Sequence, residues 1–249
     1  MKLFGEPFQR KHLSRIGYLP EERGLYKKMK VLDQIVFLGQ LHGMETGLAT
    51  QRAREWCERL QITEAMQKKT EELSKGMQQK IQFIAALLHE PDLIIMDEPF
   101  SGLDPVNASL LLDTLVDQRK AGKTVIFSTH RMDQVEKLCD AIALIHKGKL
   151  VLSGSMREIK SAYPQNRVQV IFDGDDAFLN HPSVANVKRY NGQADITLRS
   201  EGNVTPDAQP LLADAVTRGT RIQKFEVKEP TLEDIFIEKV QQAGGQVDA

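Results

Sequence analysis

The sequence predicts an α/β fold, a mostly parallel sheet with a helical subdomain, followed by a small α+β domain. Three observations carry that expectation. Short, continuous apolar runs alternate with helical patterns through the first two thirds of the 249 residues, as parallel strands covered on both faces do. A composition shift, Ser161-Ala162-Tyr163-Pro164-Gln165-Asn166, then marks a linker. Beyond it apolar and polar residues alternate, the period of a strand with one buried face.

Taken in chain order, Ile16-Gly17-Tyr18-Leu19, Leu93-Ile94-Ile95-Met96, Val125-Ile126-Phe127 and Ala141-Ile142-Ala143-Leu144-Ile145 read as parallel strands. Between the first two lies a helical region over about residues 31–90, with Leu32-Asp33-Gln34-Ile35-Val36-Phe37-Leu38 and the Trp56 segment. Asp104-Pro105 opens a further helix, Asp as N-cap and Pro at the first helical position, and Gly122 closes it. These elements make a first domain of residues 1–160. In a second, residues 167–249, Val168, Val170 and Phe172 share one strand face. Asn191-Gly192 is a hairpin turn between Val187-Lys188-Arg189-Tyr190 and Asp195-Ile196-Thr197-Leu198. A helix around Leu211 and Ala215 ends at Gly219, and Lys224-Phe225-Glu226-Val227 is a strand. The closing helix starts at Thr231, with Asp234 three residues on and Leu232, Ile235, Phe236 and Val240 as its apolar face.

Composition narrows the function. Lys plus Arg (33) nearly balances Asp plus Glu (34), a net charge of −1. That gives no electrostatic case for nucleic acid or an anionic membrane surface as main partner. Apolar stretches such as Phe83-Ile84-Ala85-Ala86-Leu87-Leu88 have buried-helix length and none is long enough to span a bilayer. Met1-Lys2-Leu3-Phe4-Gly5-Glu6-Pro7 has no signal-peptide pattern. Cys57 and Cys139 have neither metal-ligand spacing nor a disulfide pattern, and read as reduced thiols of a cytosolic protein. A membrane connection is therefore expected through a partner.

The chemistry-bearing residues gather at strand ends. The run ending in Met96-Asp97-Glu98 places two carboxylates where open α/β sheets bind ligands. One such group holds Mg²⁺ through water, and its neighbour accepts a proton. Taken alone, the same ending also fits a chain returning to solvent. The next run ends in Ser128-Thr129-His130, whose imidazole suits a terminal phosphate or its attacking water. A lone histidine there would more often be an ordinary surface residue. Upstream, Leu73-Ser74-Lys75-Gly76-Met77-Gln78-Gln79-Lys80 leads into an apolar helix, so Ser74, Gly76 and the helix N-terminus suit a phosphate. A plain N-cap accounts for Ser74 but not for the glycine.

In this order Ser74-Lys75-Gly76, Met96-Asp97-Glu98-Pro99, Ser101-Gly102-Leu103-Asp104 and Ser128-Thr129-His130 resemble the signature motif, Walker B, D-loop and H-loop of the ABC ATPases, a P-loop NTPase-like family. Residues 16–26 resemble the Q-loop region. The C-terminal part, with Pro230-Thr231-Leu232-Glu233-Asp234-Ile235-Phe236, is similar to that of bacterial exporter-type ATP-binding subunits, so the resemblance spans essentially the whole chain. It implies an ATPase with ATP and Mg as cofactors, coupling hydrolysis to export by separate membrane-spanning transporter subunits at the inner face of the plasma membrane. Asp97 would hold Mg²⁺ through water, Glu21 standing at the Q-loop glutamine position beside it. Glu98 would be the general base and His130 would contact the γ-phosphate. Ser74 and Gly76 would close over the nucleotide of a second ATP-binding subunit, in a homo- or heterodimer, and Asp104 would link the two sites. The segment from Glu21 to Tyr26 would face the membrane subunits.

One departure dominates. Nothing in the sequence matches G-x-x-x-x-G-K-[ST]; Gly122-Lys123-Thr124 has Asp117 where the first glycine belongs, and it precedes a strand instead of following one. It reads as a helix C-cap and a strand start. By the resemblance, the domain begins after its P-loop strand, loop and helix. The sheet is then incomplete at the N-terminus, with a defect beside Val125-Ile126-Phe127, and the chain alone is expected to be inactive. Smaller departures are Glu21 for glutamine and Lys75 and Met77 within the signature. The alternative is a non-catalytic module that docks on and regulates a transporter or an intact partner. A translation or DNA-repair ABC protein fits less well, since neither tandem cassettes nor long coiled-coil insertions are present.

Overall fold

The computed structural model describes residues 2–22, 24–200 and 204–242, with the side chains of residues 238 and 240–242 left aside. The apolar face expected of the closing helix therefore lies within the described residues only as far as Phe236. Two compact units divide at Gln134/Val135, earlier in the chain than residues 161–166.

In the first unit, a small hairpin of β1 (Lys2–Leu3) and β2 (Glu6–Pro7) leads through a 3₁₀ segment, Arg10–Arg15, into β3 (Ile16–Leu19). Three helices follow: α1 (Val31–Leu41), α2 (Thr46–Arg59) and α3 (Lys75–Leu87). Then come β4 (Leu93–Asp97), α4 (Pro105–Lys120), β5 (Thr124–Ser128) and α5 (Met132–Leu138), the last running into the second unit. Strands β3, β4 and β5 lie side by side in that order, all parallel, as their apolar runs predict. Register places Leu19 by Met96 and Met96 by Phe127, so all three strands deliver their carboxyl ends to one edge.

The expectation that these strands are covered on both faces does not hold. Leu19, Ile94 and Met96 are buried, and α3 packs against β3 on that side. The row Tyr18–Ile95–Ile126 faces the other way, with Tyr18 59% and Ile126 55% exposed.

The fourth expected parallel strand is also corrected. In the second unit β6 (Ala141–His146) pairs antiparallel with β7 (Lys149–Ser155) and is largely exposed. The cause is local: Lys147 and Gly148 both have positive φ, 48° and 74°, the requirement of a two-residue hairpin turn whose twist suits the flanking strands. A partner two residues away closes at far lower entropy cost than a distant strand.

The rest of this unit follows the pattern read from sequence. After α6 (Met156–Ser161), strands β8 (Arg167–Asp173), β9 (Val184–Tyr190) and β10 (Gln193–Leu198), helix α7 (Gln209–Thr217) and β11 (Arg221–Lys228) form an antiparallel sheet of order β11-β8-β10-β9 and its helix. Val168, Val170 and Phe172 do share one face, buried with Ile196 and Leu198 against Phe178, Leu211 and Ala215. Closing helix α8 (Leu232–Gln242) is capped reciprocally: the Thr231 N–H donates to Asp234 Oδ2 (3.1 Å) and the Asp234 N–H to Thr231 Oγ1 (3.2 Å).

One titrating pair lies in the first unit. His42, at the end of α1, stacks on His89 with ring centroids 3.8 Å apart and planes 6° apart, and His89 Nε2 lies 3.0 Å from the Ile16 carbonyl. Burial, then the neighbouring His42, pushes His89 down to about 4, and burial also lowers His42. Both folded-state values lie below the unfolded one, so the unfolded chain binds the extra protons. The stack's contribution is expected to be complete above about pH 6.5, the unfolded histidine value, and to fade as the pH falls towards 4. Thermal melts of His89→Gln against the parent between neutral pH and pH 5 check this; an unaltered pH slope would refute it.

Candidate functional site

The strand ends of the first unit build the site. Asp97 is the last residue of β4, opposite Ser128 at the end of β5, and the Ser128 hydroxyl donates to its carboxylate. The Glu98 N–H bonds back to the Ser128 carbonyl at 3.0 Å, extending the pairing by one residue before the chain turns. Glu98 itself has φ +44°, a left-handed conformation that a non-glycine residue rarely adopts. The turn swings its carboxylate to the next strand's loop, where three donors hold it. Thr129 Oγ1 donates to Oε2 at 3.1 Å, the His130 N–H donates to Oε1 at 2.9 Å, and His130 Nδ1 lies 2.8 Å from the same oxygen. The Glu98 side chain is 18% exposed, whereas that of His130 is 82% exposed. A carboxylate so fixed, beside an imidazole open to solvent, suits proton transfer with an incoming water.

The structure thus brings Asp97, Glu98 and His130 together. Glu21 lies two residues past the end of β3, at the same edge of the sheet, and is exposed. Asp104 is the N-cap of α4, accepting from the backbone N–H groups of Val106 and Asn107 at 3.0 Å each. The Asn107 N–H, then the Asn107 side-chain amide, hold the Asp104 carboxyl below the usual range. Ser74 is the N-cap of α3, accepting from the Met77 N–H at 3.2 Å. Gly76 lies against the loop ahead of Asp104: a Cβ there would stand 3.3 Å from Leu103 Cδ2 and 3.5 Å from the Gly102 carbonyl oxygen. Removing the Ser74 hydroxyl is expected to cost about 1 kcal/mol of stability, as N-cap truncations do. Urea unfolding of Ser74→Ala checks it, and an unshifted midpoint would deny the cap an energetic role.

Two contributors escaped the sequence reading. Gln79, 3% exposed on α3, donates its Nε2 to the Pro99 carbonyl at 3.0 Å and lies 3.5 Å from that of Glu98. It ties the helix carrying Ser74 to the turn carrying Glu98. The only signal was a polar residue on an otherwise buried helix face. Thr129 was quoted as part of a motif, but its hydroxyl contact depends on the strand register.

The sequence expectation for Gly122-Lys123-Thr124 holds in detail. Its backbone N–H groups donate to the carbonyls of Arg119 (2.9 Å), Gln118 (3.1 Å) and Asp92 (2.9 Å), so none remains to cradle a phosphate. The donor set therefore fits one half of a Mg-nucleotide. Among the described residues no group of three or more His, Cys, Asp or Glu is arranged to hold a metal. Mg²⁺ keeps waters and phosphate oxygens and needs only one or two carboxylates, which Asp97 can supply. The fit fails at the β- and γ-phosphates, for which this sequence contains no glycine-rich loop.

Comparison with known proteins bears on the whole chain. The family model described as ABC transporter matches residues 2–101, and that of the C-terminal domain of DrrA1-3-like ATP-binding proteins matches residues 154–240. The chain is 45% identical over 237 residues to an uncharacterized ABC transporter ATP-binding protein of Alkalihalophilus pseudofirmus, covering 95% of this chain and 87% of that one. It is 46% identical to YhaQ of Bacillus subtilis, an uncharacterized ABC transporter ATP-binding protein, covering 95% of this chain and 78% of the relative. The linearmycin resistance ATP-binding protein LnrL of Bacillus subtilis is 32% identical, covering 90% and 73%. A solved ATP-binding subunit of an ABC transporter matches with a TM-score of 0.55 at 28% identity, over 59% of this chain and 61% of that one.

Proposed function

The chain belongs to the ABC transporter ATP-binding proteins, a family of ATPases, and from that premise we propose that it serves an export transporter, coupling ATP hydrolysis to transport by separate membrane subunits. The observation that carries the reading is the Glu98 carboxylate held by Thr129 and His130 at the end of a parallel sheet, beside Asp97. When bound, Mg²⁺ neutralises phosphate charge. Asp97 would hold its water shell, with Glu21 at the neighbouring strand end. Glu98 takes the proton of the attacking water, and the exposed His130 ring orients towards the terminal phosphate. Ser74 and Gly76 close over the nucleotide of a second ATP-binding subunit, and Asp104 lies on the path between the two sites. Residues 1–160 do this work, residues 167–249 are accessory, and the Glu21 to Tyr26 segment meets the membrane subunits. The protein then works at the cytoplasmic face of the plasma membrane.

The phosphate cradle decides what this chain does by itself. Without it, the chain is expected to bind Mg-ATP very weakly and to hydrolyse it no faster than background, since the cradle carries most of the binding. Isothermal titration and a phosphate-release assay check this, and submicromolar affinity would overturn it. Joining a strand, a G-x-x-x-x-G-K-[ST] loop and a helix ahead of residue 1 is expected to restore both binding and turnover. Binding without turnover would instead favour the non-catalytic module.

A further inference from the structure

Two polar side chains buried in the helical part of the first unit hold each other. Gln34 is fully buried on α1 beside Val31, Leu32 and Ile35, and Thr70 is 2% exposed in the stretch ahead of α3. Gln34 Nε2 donates to Thr70 Oγ1 at 3.3 Å, and the oxygen of the same carboxamide accepts from the Tyr26 N–H at 2.5 Å. One side chain thus grips two stretches of chain. Those stretches also bond to each other through the backbone. The Glu71 N–H donates to the Lys27 carbonyl (3.0 Å), the Thr70 N–H to that of Met29 (3.1 Å) and the Val31 N–H to that of Lys68 (3.1 Å). The contacts run on into α3. Gln78, in its first turn, donates Nε2 to the carbonyls of Thr70 (3.1 Å) and Leu73 (3.2 Å), and its own N–H to the Ser74 carbonyl (3.0 Å). Tyr26 is therefore joined to the N-cap of α3 through two carboxamides, all within the first unit.

Burying a carboxamide costs free energy that its hydrogen bonds do little more than offset. An apolar side chain would fill the same place on α1 with less desolvation. Gln34 therefore serves position more than stability. We infer that Gln34 is a positioning residue, coupling the segment that ends at Tyr26 to the N-terminus of α3, where Ser74 and Gly76 lie. A partner that displaces this segment then changes how α3 presents Ser74 to a nucleotide. Coupling of this kind is reciprocal, so whatever fixes Ser74 also fixes Tyr26. Its place in a transporter rests on the reading that Glu21 to Tyr26 meets the membrane subunits, but the coupling within the chain does not.

Amide exchange on the full, nucleotide-free chain reads the link without ATP or membrane subunits. Tyr26→Ala removes the ring that rests edge-on against Phe37 and so loosens the segment. It is expected to speed exchange of the Gln78 N–H about five- to tenfold, the scale of one hydrogen bond. In a Gln34→Leu background the same substitution is expected to leave Gln78 exchange unchanged, a non-additivity that marks a direct link. Thr70→Val, nearly the same in shape, breaks the link at its other end and is expected to uncouple likewise. Gln34→Leu with Thr70→Val removes both polar partners together. That chain should melt near the parent's temperature yet stay uncoupled, which separates position from stability. The Ala108 N–H, donating to the Asp104 carbonyl in the first turn of α4, is the control. Equal acceleration there would mean general loosening and would overturn the inference. So would Gln78 exchange that ignores Tyr26→Ala, or that responds to it equally with and without Gln34. If the coupling holds but Tyr26→Ala leaves the chain's binding to membrane subunits unchanged, the membrane reading fails and the coupling stands.

Discussion

Glu98→Gln, in a chain provided with a phosphate-binding loop ahead of residue 1, is expected to lower turnover about 10²- to 10⁴-fold while leaving ATP affinity nearly unchanged. That corresponds to about 3–5 kcal/mol of transition-state stabilisation, more than any single hydrogen bond at the site supplies. The substitution is nearly isosteric, so the left-handed turn at residue 98 and the contact from Gln79 to the Pro99 carbonyl are retained. What is removed is the capacity to accept a proton. One amide oxygen still accepts from the His130 N–H, whereas the amide nitrogen meets the donors around it less well. His130→Ala should lower turnover comparably, because it removes the ring that lies against this carboxylate. The double variant is expected to fall no further than the worse single one, as groups acting as one unit do. Single-turnover kinetics with separately measured nucleotide affinity would decide it. Turnover unchanged in both single variants would remove Glu98 and His130 from the chemistry.

The legibility of this site in the sequence divides along a physical line. Asp97, Glu98 and His130 were legible because short apolar runs mark buried strands, and polar residues at their carboxyl ends face the ligand edge of a parallel sheet. The structure sets those ends side by side through the Leu19–Met96–Phe127 register. Thr129 and Gln79 were not legible as contributors. Their roles are hydrogen bonds between residues 31 and 20 positions apart, set by register and helix docking, which no local pattern encodes. The same limit explains β6: its apolar run is that of a buried strand, but the two-residue Lys147-Gly148 turn supplies a nearer partner. Caps were the most legible features, since Ser74, Asp104 and Thr231 act within their own helix turns.

Gly17→Ala is expected to be the most damaging small substitution in the first unit, costing about 3 kcal/mol of stability. Gly17 lies in the middle of β3, and a Cβ there would stand 2.1 Å from the Ala86 carbonyl oxygen and 2.9 Å from Pro91 Cγ. Two effects oppose each other. Alanine restricts the unfolded chain, which alone would stabilise by about 0.4–1 kcal/mol. Against that, the clashing oxygen belongs to the α3 backbone and cannot rotate away. The strand or the helix must shift by most of an ångström in an interior with crystal-like packing, and this cost exceeds the entropic gain. Moving α3 also strains what it carries, the Gln79 contact to Pro99 and the approach of Gly76 to Leu103. The damage should therefore reach the candidate site as well as the melting temperature. Gly24→Ala is the control, since nothing lies within 4 Å of its added Cβ. Urea unfolding of both variants, with amide exchange across β4, reads the difference. A Gly17→Ala chain unfolding within about 0.5 kcal/mol of the Gly24→Ala control, the range of ordinary surface substitutions, would mean that β3 and α3 are not pressed together as the structure shows.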